Sequence, residues 1–446
     1  MRRFLFLSTI YFKSFGLVSQ VTLSDTSIQK LPFAISKEKK LPNDELAEKR
    51  EGTYVTGIPD ISYDPLNGLG YGGEASLFFN GKRTDPFFEY TPYRAQVNIR
   101  AFNTTNSQRE LVIGCDIPYI FNSKWRLRAE VAYEINPNHL YFGVTEKSLN
   151  SLQYYQNNDS STTLIKNASF TDYENGLSAD VKNYNKYTKN EALINVSMER
   201  SYFGGKLRAL IGYEYAVVNF TSVGKISLLQ NDFNANKIVG VGKNNVTFLQ
   251  GGFIYDTRNL ETDPTNGIFA ELLNEVSLKA LGSQYNFNKI FFHANIYKSI
   301  WPKKLKRFVF AGRVGLGYTA GNAPFYEYQD QWSSEGSIEG LGGGATIRGY
   351  KQGRFLGRVM QFNNMEFRYK FAQCKVLKQY LAFSSVPFCD VGAVWNDFNT
   401  VSGFGNYRYS EGLGLRIAWN VNTILRFDYA VSKEDKQFFF QLGHCF

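Results

Sequence analysis

The stretch EGLGLRIAWNVNTILRFDYAV, residues 411–431, decides how this chain folds. In its first half Glu411, Leu413, Leu415, Ile417 and Trp419 share one face of an extended chain, and Gly412, Gly414, Arg416 and Ala418 share the other. In its second half Val421, Thr423, Leu425, Phe427, Tyr429 and Val431 oppose Asn422, Arg426 and Asp428. Successive strand side chains point to opposite faces, so this period of two reads as two strands with an apolar, aromatic face and a polar one. The last residues continue it, with Phe438, Phe440, Leu442 and Phe446 opposite Gln437, Gln441 and Gly443. Alternation alone also fits a soluble antiparallel sandwich.

Counting such segments separates the two. Working back from the C-terminus, strands read near 52–62, 69–80, 91–104, 107–118, 124–136, 184–201, 205–220, 245–256, 266–282, 285–299, 305–320, 357–371, 379–395, 408–420, 422–432 and 436–446. That is about sixteen, an even number. If the last strand ends in the periplasm, the connections YIFNS (119–123), FGG (203–205), WPKK (301–304) and NVN (420–422) are periplasmic and short. The long segments 137–183, 221–244 and 321–356 then all lie outside. Short periplasmic turns with long external loops are the pattern of an outer-membrane barrel, and a register wrong by one strand would scramble it. The expected fold is an all-β transmembrane antiparallel barrel of about sixteen strands.

Composition agrees. Aromatics are 16% of the 446 residues, with 29 Tyr, 38 Phe and 39 Gly, yet no apolar run approaches the roughly 18 residues of a spanning helix. Residues 1–19, MRRFLFLSTIYFKSFGLVS, read as a secretory signal, with Arg2 and Arg3 ahead of an apolar stretch. Residues 20–51 are polar and charged and read as a flexible periplasmic lead-in, which leaves 52–446 for the barrel.

Other classes lack their chemistry. The net charge of +10 is spread along the whole chain without a basic stripe, which argues against nucleic acid. Cys115, Cys374, Cys389 and Cys445 have no C-x-x-C spacing, and with only His139, His293 and His444 beside them no metal or other cofactor is expected. GLGYGG (68–73) matches a dinucleotide fingerprint by letter, but no helix follows to supply the anion-binding terminus. A G-x-S-x-G elbow, a Walker A loop and H-E-x-x-H are missing. His444 shares its parity with Phe440 and Phe446, on the outward face, so a lumenal Ser/His pair is not expected either and the chain is read as no enzyme.

The loop 321–356 is too long to be idle. It contains PFYE (324–327), a glycine cluster, and then Ile347-Arg348-Gly349-Tyr350. After it come Glu366 in NNMEFRYKF, FCDVG (388–392) and a terminal strand ending in Phe446; YDTRN (255–259) with PTNG (264–267) precede it. In this order the motifs resemble the BamA/TamA-type outer-membrane assembly family, also called the bacterial surface antigen family. The resemblance covers about residues 52–446.

The resemblance implies that the external loop folds back into the lumen and that Arg348 meets acidic residues on the inner wall. Parity points to Glu366 and Asp390. Glu366 shares a face with Arg368 and Lys370, opposite Met365, Phe367, Tyr369 and Phe371; Asp390 shares one with Ser384 and Gly392, opposite Phe383, Val391 and Trp395. A planar guanidinium can hold carboxylates in a fixed fork, which lysine cannot. The family opens at the seam between first and last strands, where Pro59 donates no ladder bond and Gly443 has no side chain to pack; Phe446 closes the same seam. The family resemblance implies a part in insertion or translocation of client outer-membrane proteins, in the lipids of the bacterial outer membrane, with periplasmic chaperone or lipoprotein partners. The segment ahead of Thr53 is too short for the POTRA modules that such proteins carry. The alternative is a passive pore or a structural barrel in a larger envelope complex.

Overall fold

Apolar residues at every second position bury their backbone polar groups in a sheet only if each strand finds a partner on both edges, and closure into a barrel meets that demand. The computed structural model describes residues 30–446 apart from 42–45, 47–48, 65, 159–160, 225, 301–307, 377–378, 402–404 and 420–422. The signal reading of 1–19 and the turns WPKK and NVN lie outside the described residues.

Sixteen strands form one closed sheet: Thr53–Asp64 (β1), Gly68–Phe79 (β2), Ala95–Thr104 (β3), Arg109–Ile117 (β4), Trp125–Leu140 (β5), Lys186–Tyr202 (β6), Leu207–Ser222 (β7), Gly242–Asp256 (β8), Asn266–Ser277 (β9), Phe287–Ser299 (β10), Phe308–Gly321 (β11), Val359–Val376 (β12), Gln379–Trp395 (β13), Arg408–Trp419 (β14), Thr423–Ser432 (β15) and Lys436–Leu442 (β16). Each strand pairs antiparallel with the next, and β1 meets β16 to close the ring. The expected barrel is therefore present, and no helix among the described residues is long and apolar enough to cross a membrane.

The two faces divide as the alternation requires. Val131, Tyr133, Ile194, Ile211, Met365, Phe367, Leu413 and Tyr429 point outward and are exposed, while Glu271, Asn364, Glu366, Asp390, Arg416 and Asp428 are buried on the inner face. The inner face is filled mostly by the segment between β11 and β12. Its Phe325 and Tyr326 pack with Tyr141, Tyr187, Phe220, Phe248 and Phe287, and its Leu341, Ile347, Tyr350 and Phe355 pack with Met360, Phe362 and Val394.

Three expectations need correction. The segment 137–183 is not a plain loop: β5 runs on to Leu140, a hairpin pairs Gln153–Asn158 with Ser161–Lys166, and a helix, Phe170–Gly176, starts at Ser169, whose hydroxyl accepts from Asp172 N. Leu140, Phe142, Leu152, Phe170 and Tyr173 form a small core of their own there, which the sequence does not reveal because its apolar residues come from both ends of the segment. The lead-in, expected as flexible chain, is bonded over its described part: Ser36 N donates to Gly204 O at 2.9 Å, Leu41 N to Glu89 O at 2.8 Å, and Lys39 pairs with Asp256 at 3.3 Å.

The third correction is at the C-terminus. The last strand stops at Leu442, because Gly443 takes φ +81°, a left-handed value that glycine adopts without strain, and the chain leaves the sheet. His444, expected on the outward face, is instead hydrogen-bonded to Asp263 at 3.1 Å. Phe446, expected at the seam, lies with its ring 4.9 Å from the guanidinium of Arg313, and its carbonyl accepts from Arg368 Nη2 at 2.7 Å. Period-two parity fails beyond a residue of positive φ, so it could not place these two.

Candidate functional site

The loop between β11 and β12 is shaped by glycine before it is held by charge. Gly342 and Gly349 have φ of +114° and +95°; a Cβ on Gly342 would lie 2.0 Å from Lys351 O, and one on Gly349 3.1 Å from Val431 C. Only a residue without a side chain lets the loop fold on itself and approach β15 this closely. Thr346 fixes the turn, its hydroxyl donating to Gly340 O at 2.7 Å and accepting from Gly342 N at 3.0 Å. Ser432 Oγ donates to Gly349 O at 2.7 Å. Ile347 and Tyr350, both buried, flank the arginine, with the Tyr350 ring edge-on to Phe355 at 5.1 Å.

Arg348 is 0% exposed. Its Nε and Nη2 donate to Asp390 Oδ2 and Oδ1 at 2.8 and 2.9 Å, a bidentate fork, and its backbone N–H donates to Oδ2 at 3.1 Å. Its Nη1 donates to Glu366 Oε1 at 2.8 Å and Asp428 Oδ2 at 3.0 Å. The guanidinium plane lies 3.5 Å from the centroid of the Phe388 ring. The structure thus brings Arg348 to Glu366 and Asp390 and adds a third acid, Asp428, which the sequence reading did not select.

Around these acids stand further cations. Arg368 donates to Glu366 at 3.0 Å, Arg416 to Glu366 at 3.1 Å and to Asp428 at 2.5 Å, and Arg426 lies 3.8 Å from Asp428. Asp390, in contrast, has Arg348 as its ion-pair partner and Asn364 Nδ2 as a neutral donor at 2.7 Å. Loss of Arg348 would leave Asp390 most exposed to the penalty of a lone buried charge. Asp428 and Arg416 had a sequence signal, since the alternation of residues 411–431 puts both on the inward face.

Four further anchors hold the loop. Glu327 of PFYE pairs at 2.9 Å with Lys289 of β10, which also pairs with Glu275 at 3.0 Å and Asp330 at 3.7 Å. Burial pushes the Glu327 carboxyl up to about 7 despite the opposing pull of Lys289, with Asp330 and Glu275 adding to the rise. Glu271 accepts from Ser333 Oγ and Ser334 N, both at 2.9 Å. Arg354 donates to Glu434 at 2.7 and 2.9 Å, which ties the far end of the loop to the β15–β16 turn. In the YDTRN turn, Arg258 bridges Asp256 and the loop residue Glu335.

The seam residues are not gathered in one place. Pro59 stands opposite Gly73 in the β1–β2 ladder, Gly443 turns the chain out of β16, and Phe446 sits on the inner side. Among the described residues, Tyr63 opposite Phe440 is the one register pair between β1 and β16.

The comparisons with known proteins fit this geometry. Residues 31–94 match a domain of unknown function, and residues 95–446 match the Omp85 superfamily domain. No curated protein sequence matches. Among solved structures, BamA from Haemophilus ducreyi lacking POTRA domains 1–3 is similar with a TM-score of 0.53 at 15% identity, over 88% of this chain and 70% of that one. CdiB from Escherichia coli has a TM-score of 0.53 at 10% identity, over 87% of this chain and 62% of its own, so this chain spans less than two thirds of CdiB. Identities this low speak for the fold alone. The family match spans most of the chain: the chain belongs to the Omp85 superfamily, as an outer-membrane β-barrel related in fold to BamA and CdiB.

Proposed function

We propose that the protein takes part in inserting or translocating client proteins at the bacterial outer membrane, and that it does so by parting β1 from β16. The observation that carries this is the thin closure. Among the described residues one register pair joins β1 to β16, against twelve between β1 and β2 and seven between β15 and β16. Unpaired strand backbone is a template for another strand, and in a lipid surround each unsatisfied group costs several kcal/mol, so an incoming strand is favoured there. Pro59 lies in the unmatched part of β1, beyond the end of β16 at Leu442, and its lack of an N–H gives that stretch one donor fewer. Periplasmic chaperone or lipoprotein partners would hand clients to this edge. The buried Arg348 cluster serves as the rigid interior against which the seam can move.

A disulfide across the seam tests it. Cysteines at 63 and 440, in a background where Cys115, Cys374, Cys389 and Cys445 are replaced by serine, stand at facing positions and can bond if their Cβ atoms come within about 4.5 Å. Oxidation should block assembly of clients and reductant should restore it. Full function with the bond formed in all molecules would overturn the proposal.

A second reading, the passive pore, has one observation in its favour. The loop leaves a cavity of about 470 Å³ along β1–β4, lined among others by Asp60, Glu74, Arg100 and Glu110. A pore, or a structural barrel in a larger envelope complex, would keep working with its seam locked.

A further inference from the structure

Two phenylalanines stand out at the rim that carries the short turns. Phe121 and Phe203, at the tips of the β4–β5 and β6–β7 turns, are 93% and 79% exposed, the highest values for large apolar side chains among the described residues. Both have left-handed backbones, φ 53° and 49°, which bulky residues seldom adopt. Such conformations persist where the surroundings over-determine them. Here the lead-in does so. The Phe33 ring lies 5.5 Å from Tyr119 and 5.6 Å from Phe87, and Ser36 N donates to Gly204 O, so one segment braces both turns. Ser201 N donates to Lys124 O at 2.9 Å and ties the turns side by side.

The outward surface leading to these tips is the lipid-facing one. Ile113, Val131, Ile194, Val196 and Ile211 are exposed on β4–β7. On the same face of β6, where that surface reaches the rim, stands Arg200. Its guanidinium lies 5.7 Å from the Trp125 ring and 5.4 Å from the Tyr202 ring, and no carboxylate among the described residues pairs with it. Three inward arginines nearby are matched, Arg126 with Asp116, Arg128 with Glu199 and Arg208 with Glu199. Cation–π contact with the two rings holds the guanidinium at this apolar surface, and no carboxylate among the described residues takes up its N–H donors, which leaves them for an anion at the membrane.

We propose that this rim is a binding surface for anionic phospholipid, with Arg200 receiving the phosphodiester of a headgroup and Phe121 and Phe203 seated at the boundary between headgroups and acyl chains. Three features carry it: continuity with the lipid-facing surface, aromatic residues suited to a membrane interface, and a guanidinium whose fork fits phosphate. Tyr202 and Trp125 hold the guanidinium plane by cation–π contact. A zwitterionic headgroup carries its own cation against its phosphate and gains less from Arg200 than phosphatidylglycerol does. The lead-in, by bracing the two turns, sets the rim's shape.

This rests on the membrane location of the proposed function, and the test separates the two. The full chain is mixed with vesicles of phosphatidylcholine alone or with phosphatidylglycerol and floated, and lipid retained after detergent extraction from equimolar vesicles is counted by native mass spectrometry. The wild type should float with both and retain phosphatidylglycerol about fivefold over phosphatidylcholine, the worth of one basic residue at an anionic surface. Arg200→Ala should float equally and lose the preference; Phe121→Ser with Phe203→Ser should lower retention of both lipids. Failure of the wild type to float would overturn the membrane location itself. Flotation with equal retention of the two lipids, or an undiminished preference in Arg200→Ala with its barrel intact, would overturn the headgroup site alone.

Discussion

Arg348→Ala should free the loop between β11 and β12. The side chain removed is fully buried and supplies four charge-assisted hydrogen bonds to three carboxylates, all themselves buried. Glu366 and Asp428 keep Arg416 and the other arginines beside them, so their loss is partial. Asp390 keeps only Asn364 among its named side-chain donors. Breaking a buried pair by deleting one partner costs about 3–5 kcal/mol, and at about 1.4 kcal/mol per tenfold the undocked population should rise by about two to three and a half orders of magnitude. Hydrogen exchange of amides 345–350 reads this directly, because the Arg348 N–H is itself bonded to Asp390; protease cleavage after Lys351 or Arg354 gives a second measure. Arg348→Lys restores the charge without the fork and should recover part of the loss. Adding Asp390→Asn to Arg348→Ala removes the lone carboxylate and should also recover part, since the two sites are coupled. Wild-type exchange in Arg348→Ala would refute the reasoning, and so would strict additivity in the double variant.

The same geometry sets two other outcomes. A sheet closed on itself should stay folded in detergent until boiled, so unheated and heated samples should migrate differently on a gel; identical migration would count against the barrel in solution. Glu327 has a folded-state value of about 7, above its ordinary 4.5, so the docked loop holds a proton that the released loop gives up between those values. Docking of residues 325–339 should therefore be strongest below about pH 4.5, weaken by up to about 3 kcal/mol as pH rises to 7, and level off above it. Hydrogen exchange corrected for its intrinsic pH dependence checks this, and in Glu327→Gln the slope should shrink to the part due to Glu339, which burial also raises to about 7.

Much of this protein was legible in residue order alone. Residues 411–431 read as two strands with Arg416, Arg426 and Asp428 inward, and the same parity placed Glu366 and Asp390 on the inner wall. Side-chain direction along a strand is local geometry, so a period of two suffices to assign it. Order could not reveal which inward groups meet. Asp428 lies eighty residues from Arg348, and only barrel closure sets β15 and the returning loop at one height. Closure also decided that Lys289 anchors Glu327 and that Phe33 and Ser36 brace turns far along the chain. Where a single backbone torsion breaks the period, as at Gly443, parity carried His444 and Phe446 to the wrong face. The sequence by itself determined the strands, their faces and the charge each face would carry; the tertiary structure alone decided the pairing of those charges, because a buried ion pair is chosen by position in space between segments that neither local spacing nor propensity relates.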